Sequence, residues 1–251
     1  MQLDQYLYDH FRERASITKV TRLCIGLRYT AVTTDTGGMG IAFTYQGSDS
    51  CCATKGSYQD FEGRAAIELL GRIKAHMPLH RSMALALINA LNYAEARALP
   101  EDATDRGWLD SFAIEEGTRV AMVGFFRPLM KKFKERGALV EVLDDGQGIG
   151  DRTGFYRKLD GWADVLLLTS TSIINETTEE LLGRLGPAVK VVMLGPSTPM
   201  APAAFRHLPV HMLAGTVPDD QAAVMKAVRH GEGTPVIHRF SRKVFALLAG
   251  D

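Results

Sequence analysis

Apolar residues along this chain repeat with two periods, and the changes of period mark out its elements. Leu3, Leu7 and Phe11 recur at spacings of four, which predicts one amphipathic helix over Leu3 to Arg14. From Val20 to Asp35 and from Gly40 to Tyr45 the chain is rich in Val, Ile, Thr, Phe and Tyr and reads as extended, with Thr36-Gly37-Gly38-Met39 as the hairpin turn between the two segments. After a polar link, Gly47 to Gly56, the helical period returns over about Asp60 to His76, where Phe61, Ile67, Leu70 and Ile73 share the apolar side. A second helix is predicted over Ser82 to Ala98. Its stretch Met83 to Leu91 is apolar on nearly every face, which predicts a buried helix, and Met77-Pro78 separates the pair.

Leu99 to Gly117 mixes Pro100 and acidic residues with Trp108, Leu109, Phe112 and Ile114, and reads as a linker that is partly docked. Beyond Gly117 short apolar runs alternate with helical patterns. Strands are predicted at Arg119–Phe125, Leu139–Leu143, Asp164–Leu168, Val189–Leu194 and Val210–Leu213; helices at Pro128–Arg136, Thr178–Leu185 and Asp219–His230. This βαβ rhythm predicts a parallel, doubly wound sheet. Pro128 suits a first helical position, Thr177 and Glu180 have capping-box spacing, Asp219 suits an N-cap and Gly231 a helix stop. The tail from Thr234 ends in Val244, Phe245, Leu247 and Leu248 and is expected to dock on the core. The fold class is therefore α/β: a smaller N-terminal α+β domain, residues 1–107, and a C-terminal Rossmann-like domain, residues 108–251.

Charge and composition narrow the functional classes. Among 251 residues Lys plus Arg equals Asp plus Glu at 29 each, so no net field favours nucleic acid. Apolar runs are broken well before the ~20 residues of a membrane span, and the N-terminus lacks the basic start and apolar middle of a signal peptide. A cytoplasmic protein is expected. Cys24, Cys51 and Cys52 make no disulfide framework. His76 and His80 straddle Pro78, His207 and His211 straddle Pro209, and Cys51-Cys52 are adjacent, so no pair has the spacing of a metal site on one element.

In an open α/β sheet ligands bind outside the carboxyl ends of the strands. The loops that leave there are Gly124–Pro128, Asp144–Gly150, Thr169–Asn175, Gly195–Pro199 and Gly215–Pro218, and they hold Thr169, Ser170, Thr171, Ser172, Ser197, Thr198 and Thr216. Val189 to Pro202 is a strand that delivers the stiff polar loop Gly195-Pro196-Ser197-Thr198, a plain proline-rich turn or one wall of a pocket. Thr169 to Leu182 offers hydroxyls, the Asn175 amide and a helix start, and Asn175 or Thr177 would equally serve as its cap. After the first strand, Gly124-Phe125-Phe126-Arg127-Pro128 puts bulk where a dinucleotide fingerprint needs glycine, although Asp144 and Asp145 end the next strand where such folds keep a ribose contact. Arg127 is placed to meet an anion at a helix start, or is only a solvated charge. No P-loop or G-x-S-x-G elbow occurs.

Met122-Val-Gly-Phe-Phe-Arg-Pro-Leu129, Thr169-Ser-Thr-Ser-Ile-Ile-Asn-Glu-Thr-Thr178 and Leu194-Gly-Pro-Ser-Thr-Pro-Met-Ala-Pro202 together resemble one family, as does Ala84-Leu-Ala-Leu-Ile-Asn-Ala-Leu91. It is the family named for putative heavy-metal chelation, which joins an enolase N-terminal-like domain to a Rossmann-like domain. The resemblance covers essentially the whole chain. It implies a pocket between the domains and a role with metals or metal-bearing small molecules. The expected ligand is a small anionic or metal-associated molecule, with a metal ion or metal complex as cofactor. Its expected contacts are Gly124, Arg127, Pro128, Asp144, Asp145, Ser170, Thr171, Ser172, Asn175, Gly195, Pro196, Ser197 and Thr198. Oxygen donors from Asp144, Asp145 and Asn175 would favour hard cations. The alternative is an enzyme using a nucleotide or S-adenosylmethionine, with Asp144 or Asp145 on the ribose. A homodimer is the commonest assembly for such a chain.

Overall fold

The computed structural model describes residues 2–45 and 59–248. The polar link and the Cys51-Cys52 pair lie outside the described residues. The chain opens with α1 (Gln2–Ile17), which buries Leu3, Leu7, Phe11 and Ala15 along one stripe, as its spacing predicts. An antiparallel sheet follows in the order β1-β2-β3 (Val20–Ile25, Tyr29–Thr34, Met39–Phe43). The predicted turn at residues 36–39 is present. The long extended segment before it is two strands, because Gly26 donates its N–H to Tyr29 O and turns the chain back.

Three helices complete this half: α2 (Ala66–Leu70), running into a 3-10 turn at Gly71–Lys74, then α3 (Pro78–Leu91) and α4 (Tyr93–Arg97). Pro78, read as a separator, is the first residue of α3, where its missing N–H costs nothing. Ten of the residues in α3 are buried, from Arg81 to Leu91, so the helix lies on the sheet with neighbours on almost every side. Gly40 makes the contact possible: a Cβ there would stand 2.2 Å from both Ala86 O and Ala90 N.

The stretch read as a linker folds into α5 (Arg106–Ser111), with Trp108, Leu109, Phe112 and Ile114 buried. The second half then alternates β4 (Arg119–Val123), α6 (Arg127–Glu135), β5 (Leu139–Leu143), α7 (Arg152–Gly161), β6 (Val165–Thr169), α8 (Thr171–Ile174), α9 (Thr178–Leu182), β7 (Lys190–Leu194), β8 (Met212–Pro218), α10 (Gln221–Arg229), α11 (Thr234–Ile237) and β9 (Ser241–Leu247). Its six strands run in the order β5-β4-β6-β7-β8-β9, parallel except for β9, which returns antiparallel along β8 from Met212↔Leu247 to Pro218↔Ser241. The α/β class holds, with one mostly parallel sheet and a smaller antiparallel one. α7 has no counterpart in the sequence expectations because only Phe155 and Leu159 of its ten residues are buried, and its start is set by Asp151, whose carboxylate accepts from Gly154 N at 2.6 Å. The N-cap of α10 is Asp220 and not Asp219.

The two sheets share a core. One apolar cluster runs from Leu3, Leu7 and Phe11 through α3 to Leu166, Leu168, Ile173 and Met193 of the second half. A separate patch packs Tyr29, Ala31 and Ile41 against Val224, Met225 and Val228 of α10. Behind the sheet, Trp108, Phe133, Val120 and Leu167 form a third cluster beneath α5 and α6.

Candidate functional site

The hydroxyl-rich loops at the carboxyl ends of β6 and β7 are buried and bonded within the protein. Ser170, Ser172, Ser197 and Thr198 are each 1–2% exposed. Ser197 Oγ accepts from the backbone N–H of Phe43 on β3 at 2.8 Å, and its carbonyl accepts from Asn89 Nδ2 at 3.3 Å. Thr198 Oγ1 donates to Gly195 O, and Ser172 Oγ pairs with Thr178 Oγ1, both at 2.8 Å. Thr171 Oγ1 pairs with Thr169 Oγ1 at 2.9 Å. These loops form a polar seam between the halves, which Arg81 of α3 completes. Its fully buried guanidinium holds Asp4 in a fork at 2.7 and 2.9 Å and donates to the carbonyls of Ile73, Ile173 and Ile174. Asn175 is exposed and forms the C-terminal end of α8, not the cap of α9.

The acidic pair after β5 is likewise engaged. Asp144 accepts from Phe125 N at 2.8 Å through one oxygen and from Gln147 N at 3.0 Å through the other, and Asp145 pairs with Arg152. Asp144 is held by its own loop, whereas the Asp145 side chain stays 64% exposed beside Arg152. Gly124 has φ +86, and a Cβ on it would lie 2.9 Å from Thr169 Cβ. Close approach of β4 and β6, at the point where the strand order reverses, explains this glycine without a pyrophosphate.

The open space at the carboxyl edge is a cavity of about 400 Å3 on the α5–α6 side of the sheet. Of the predicted residues Arg127, Pro128, Gly195 and Pro196 line it; Gly124, Asp144, Asp145, Ser170, Thr171, Ser172, Asn175, Ser197 and Thr198 do not. Phe125, Phe126, Pro235 and Phe245 supply an apolar wall. The same cavity has a polar corner, in which Thr216, named from the sequence among the strand-end hydroxyls, is joined by Asp105, His238 and Lys243, which the sequence did not single out. Asp105, in the left-handed region at φ 59, receives Lys132 Nζ at 2.6 Å and Lys243 Nζ at 3.3 Å. His238 Nε2 lies 3.1 Å from Thr216 Oγ1. Burial first, and then the Lys243 ammonium, lower the His238 pKa to about 4, partly opposed by Asp105. At neutral pH the corner thus holds a neutral imidazole beside two ammonium groups that share one carboxylate.

The cavity thus joins an apolar wall to a corner that carries cationic groups. Bare metal fits less well, since among the described residues no cluster of three His, Cys, Asp or Glu side chains could hold an ion. A second hollow, about 430 Å3, opens at the amino ends of the strands, where Arg119 and Asp164 are forked onto each other at 2.6 and 3.0 Å. That end of an α/β sheet is not where its ligands bind. No helix among the described residues is long and apolar enough to cross a membrane.

Known proteins similar to this chain agree on the fold. A crystal structure of a DUF364-family protein of unknown function from Pyrococcus horikoshii is 20% identical, with a TM-score of 0.80 over 98% of this chain and 100% of that one. A DUF364-family protein of unknown function from Desulfitobacterium hafniense is also 20% identical, with a TM-score of 0.77 over 97% of this chain and 99% of its own. A search of curated proteins finds no match. Residues 8–92 match the DUF4213 family, described as "Putative heavy-metal chelation". Residues 107–247, more than half of the chain, match the DUF364 family, which carries the same description, and the chain belongs to that family.

Proposed function

We propose that the chain binds a small anionic, metal-associated molecule, such as a chelator or its metal complex, in the cavity at the carboxyl edge of the sheet. The observation that carries this is the pairing of an apolar wall with a cationic corner in one concave site. Phe125, Phe126 and Pro235 suit an organic body, while Lys243 and Arg127 suit its acid groups. An ammonium has three donors, and Asp105 engages Lys243 only at 3.3 to 3.4 Å, which leaves donor capacity for a ligand. The family description supports a link to metals, and the lack of a clustered ligand set among the described residues favours metal carried by a small molecule over metal held by side chains.

Native mass spectrometry with elemental analysis of the purified protein tests the proposal. A co-purifying acidic molecule, with or without metal, is expected, and its retention should fall at least tenfold in Lys243→Met. Thermal-shift measurements with free divalent metals and with the aromatic dicarboxylate chelator dipicolinate give a second check, since a ligand bound only by the folded state raises apparent stability. Stabilisation by dipicolinate but not by free metal is the expected pattern. Stabilisation by free metal alone would sink the proposal.

A further inference from the structure

Resting on that proposed cavity, a further property follows from where its imidazole sits. His238 lies on the 3-10 turn (His238–Phe240) that joins α11 to β9, so its ring is placed by the backbone that also carries Lys243. Its ring nitrogen Nε2 is hydrogen-bonded to the Thr216 hydroxyl on β8, at 3.1 Å. A hydroxyl can turn: it donates to a bare Nε2 or accepts from Nε2–H, so it tolerates either protonation state of the ring. Other titratable groups surround the ring, on the cavity wall and behind it. Lys243 and, through Asp105, Lys132 bring two positive charges against one carboxylate, and Arg127 adds a third at the rim. Asp102, which accepts from Trp108 N at 3.3 Å and Thr104 Oγ1 at 3.2 Å, is a second carboxylate, so three cations meet two carboxylates. Tyr29 is held by Thr234 at 2.6 Å, and burial raises its pKa, so it stays a neutral phenol.

We infer that a ligand with two acid groups binds here together with a proton: the excess positive charge at Lys243 meets the first carboxylate, and the second converts His238 from a neutral ring to an imidazolium donor. The proton comes from solvent, so the bound state is ligand dianion, lysinium and imidazolium, and no covalent bond changes. Without the ligand the same proton is disfavoured by the half-buried site and the ammonium beside it, consistent with the His238 pKa of about 4. A second negative charge at the ring's edge reverses that balance. The class of ligand this selects is a dicarboxylate or an equivalent dianion on an apolar body, and a monoanion of the same body should bind without proton uptake.

Isothermal titration with dipicolinate at pH 6, in buffers of different ionisation enthalpy, measures the protons taken up. The wild type is expected to take up close to one proton more than His238→Gln, in which the amide keeps a polar partner for Thr216. Between pH 7.5 and 6 the wild-type affinity should rise several-fold, within the limit of about tenfold per pH unit for one linked proton, while the variant stays flat. Equal uptake by wild type and His238→Gln, with binding intact, overturns the proton linkage and leaves the cavity proposal standing. No binding to the wild type, or equal affinity in Lys243→Met, overturns both.

Discussion

Two polar clusters stand at the carboxyl edge of the same sheet and have opposite fates. On one side Ser172, Ser197, Thr198 and Arg81 are sealed between the halves with their hydrogen bonds made internally, and Ser170 is buried beside them. On the other, Asp105, Thr216, His238 and Lys243 face a cavity with donor capacity left over. The first cluster is denser in hydroxyls and far more conspicuous in the sequence. Density of polar groups, then, does not mark a ligand site; a buried interface needs polar partners as much as a ligand does, because each unpaired buried group costs about 1–3 kcal/mol.

The hardest test of this contrast removes the centre of the seam. Arg81→Met takes the guanidinium from a buried Asp4 and strips donors from the Ile73, Ile173 and Ile174 carbonyls. Breaking a buried pair from one side costs about 3–5 kcal/mol, so thermal denaturation should shift down by roughly 10 °C. A change within about 2 °C would mean that the seam does not hold the halves together.

A gentler cut separates structure from binding more cleanly. Ser197→Ala leaves the Phe43 N–H in the buried seam without its acceptor at 2.8 Å, a loss of about 2 kcal/mol. Dipicolinate affinity should not change, because Ser197 does not line the cavity. The opposite result, unchanged melting with weakened binding, would return Ser197 to the ligand and dissolve the distinction between the two clusters.

The contrast also explains which parts were legible beforehand. The α/β class followed from periodicity, since Val120, Leu166 and Val191 lie in strands of the parallel sheet where a buried apolar run is required. Arg127, Pro128, Gly195 and Pro196 line the cavity, and they could be placed at that edge because strand ends can be read locally. Asp105 and Lys243 could not be paired, as they lie 138 residues apart and meet only because β9 folds back on β8. His238 looked like a tail residue for the same reason. The docking of this stretch was legible from Trp108, Leu109, Phe112 and Ile114, all of which are buried, but not that it brings Asp102 and Asp105 to a cavity. Ser197 was misleading because a hydroxyl in a loop looks the same whether its partner is a ligand or the N–H of a residue 154 positions away.

The smallest effect concerns the cavity alone and reads it without any ligand. The His238 pKa of about 4 in the fold lies below the ordinary value of 6.5, so between those values the unfolded chain binds more protons than the native one. Stability contributed by the neutral ring is therefore full above pH 6.5, declines as pH falls, and is gone below about pH 4. A shift of that size is worth about 3 kcal/mol at most, and solvent reaching the half-buried ring reduces the expected loss to about 1 kcal/mol. Urea denaturation of wild type and His238→Gln at several pH values between 7 and 4 isolates it, because every other titrating group is common to both. The difference in stability should shift by about 1 kcal/mol over that interval, with the wild type losing more. Parallel curves would show that His238 titrates as it does in the unfolded chain, and the corner would then be as open to water as the outer surface.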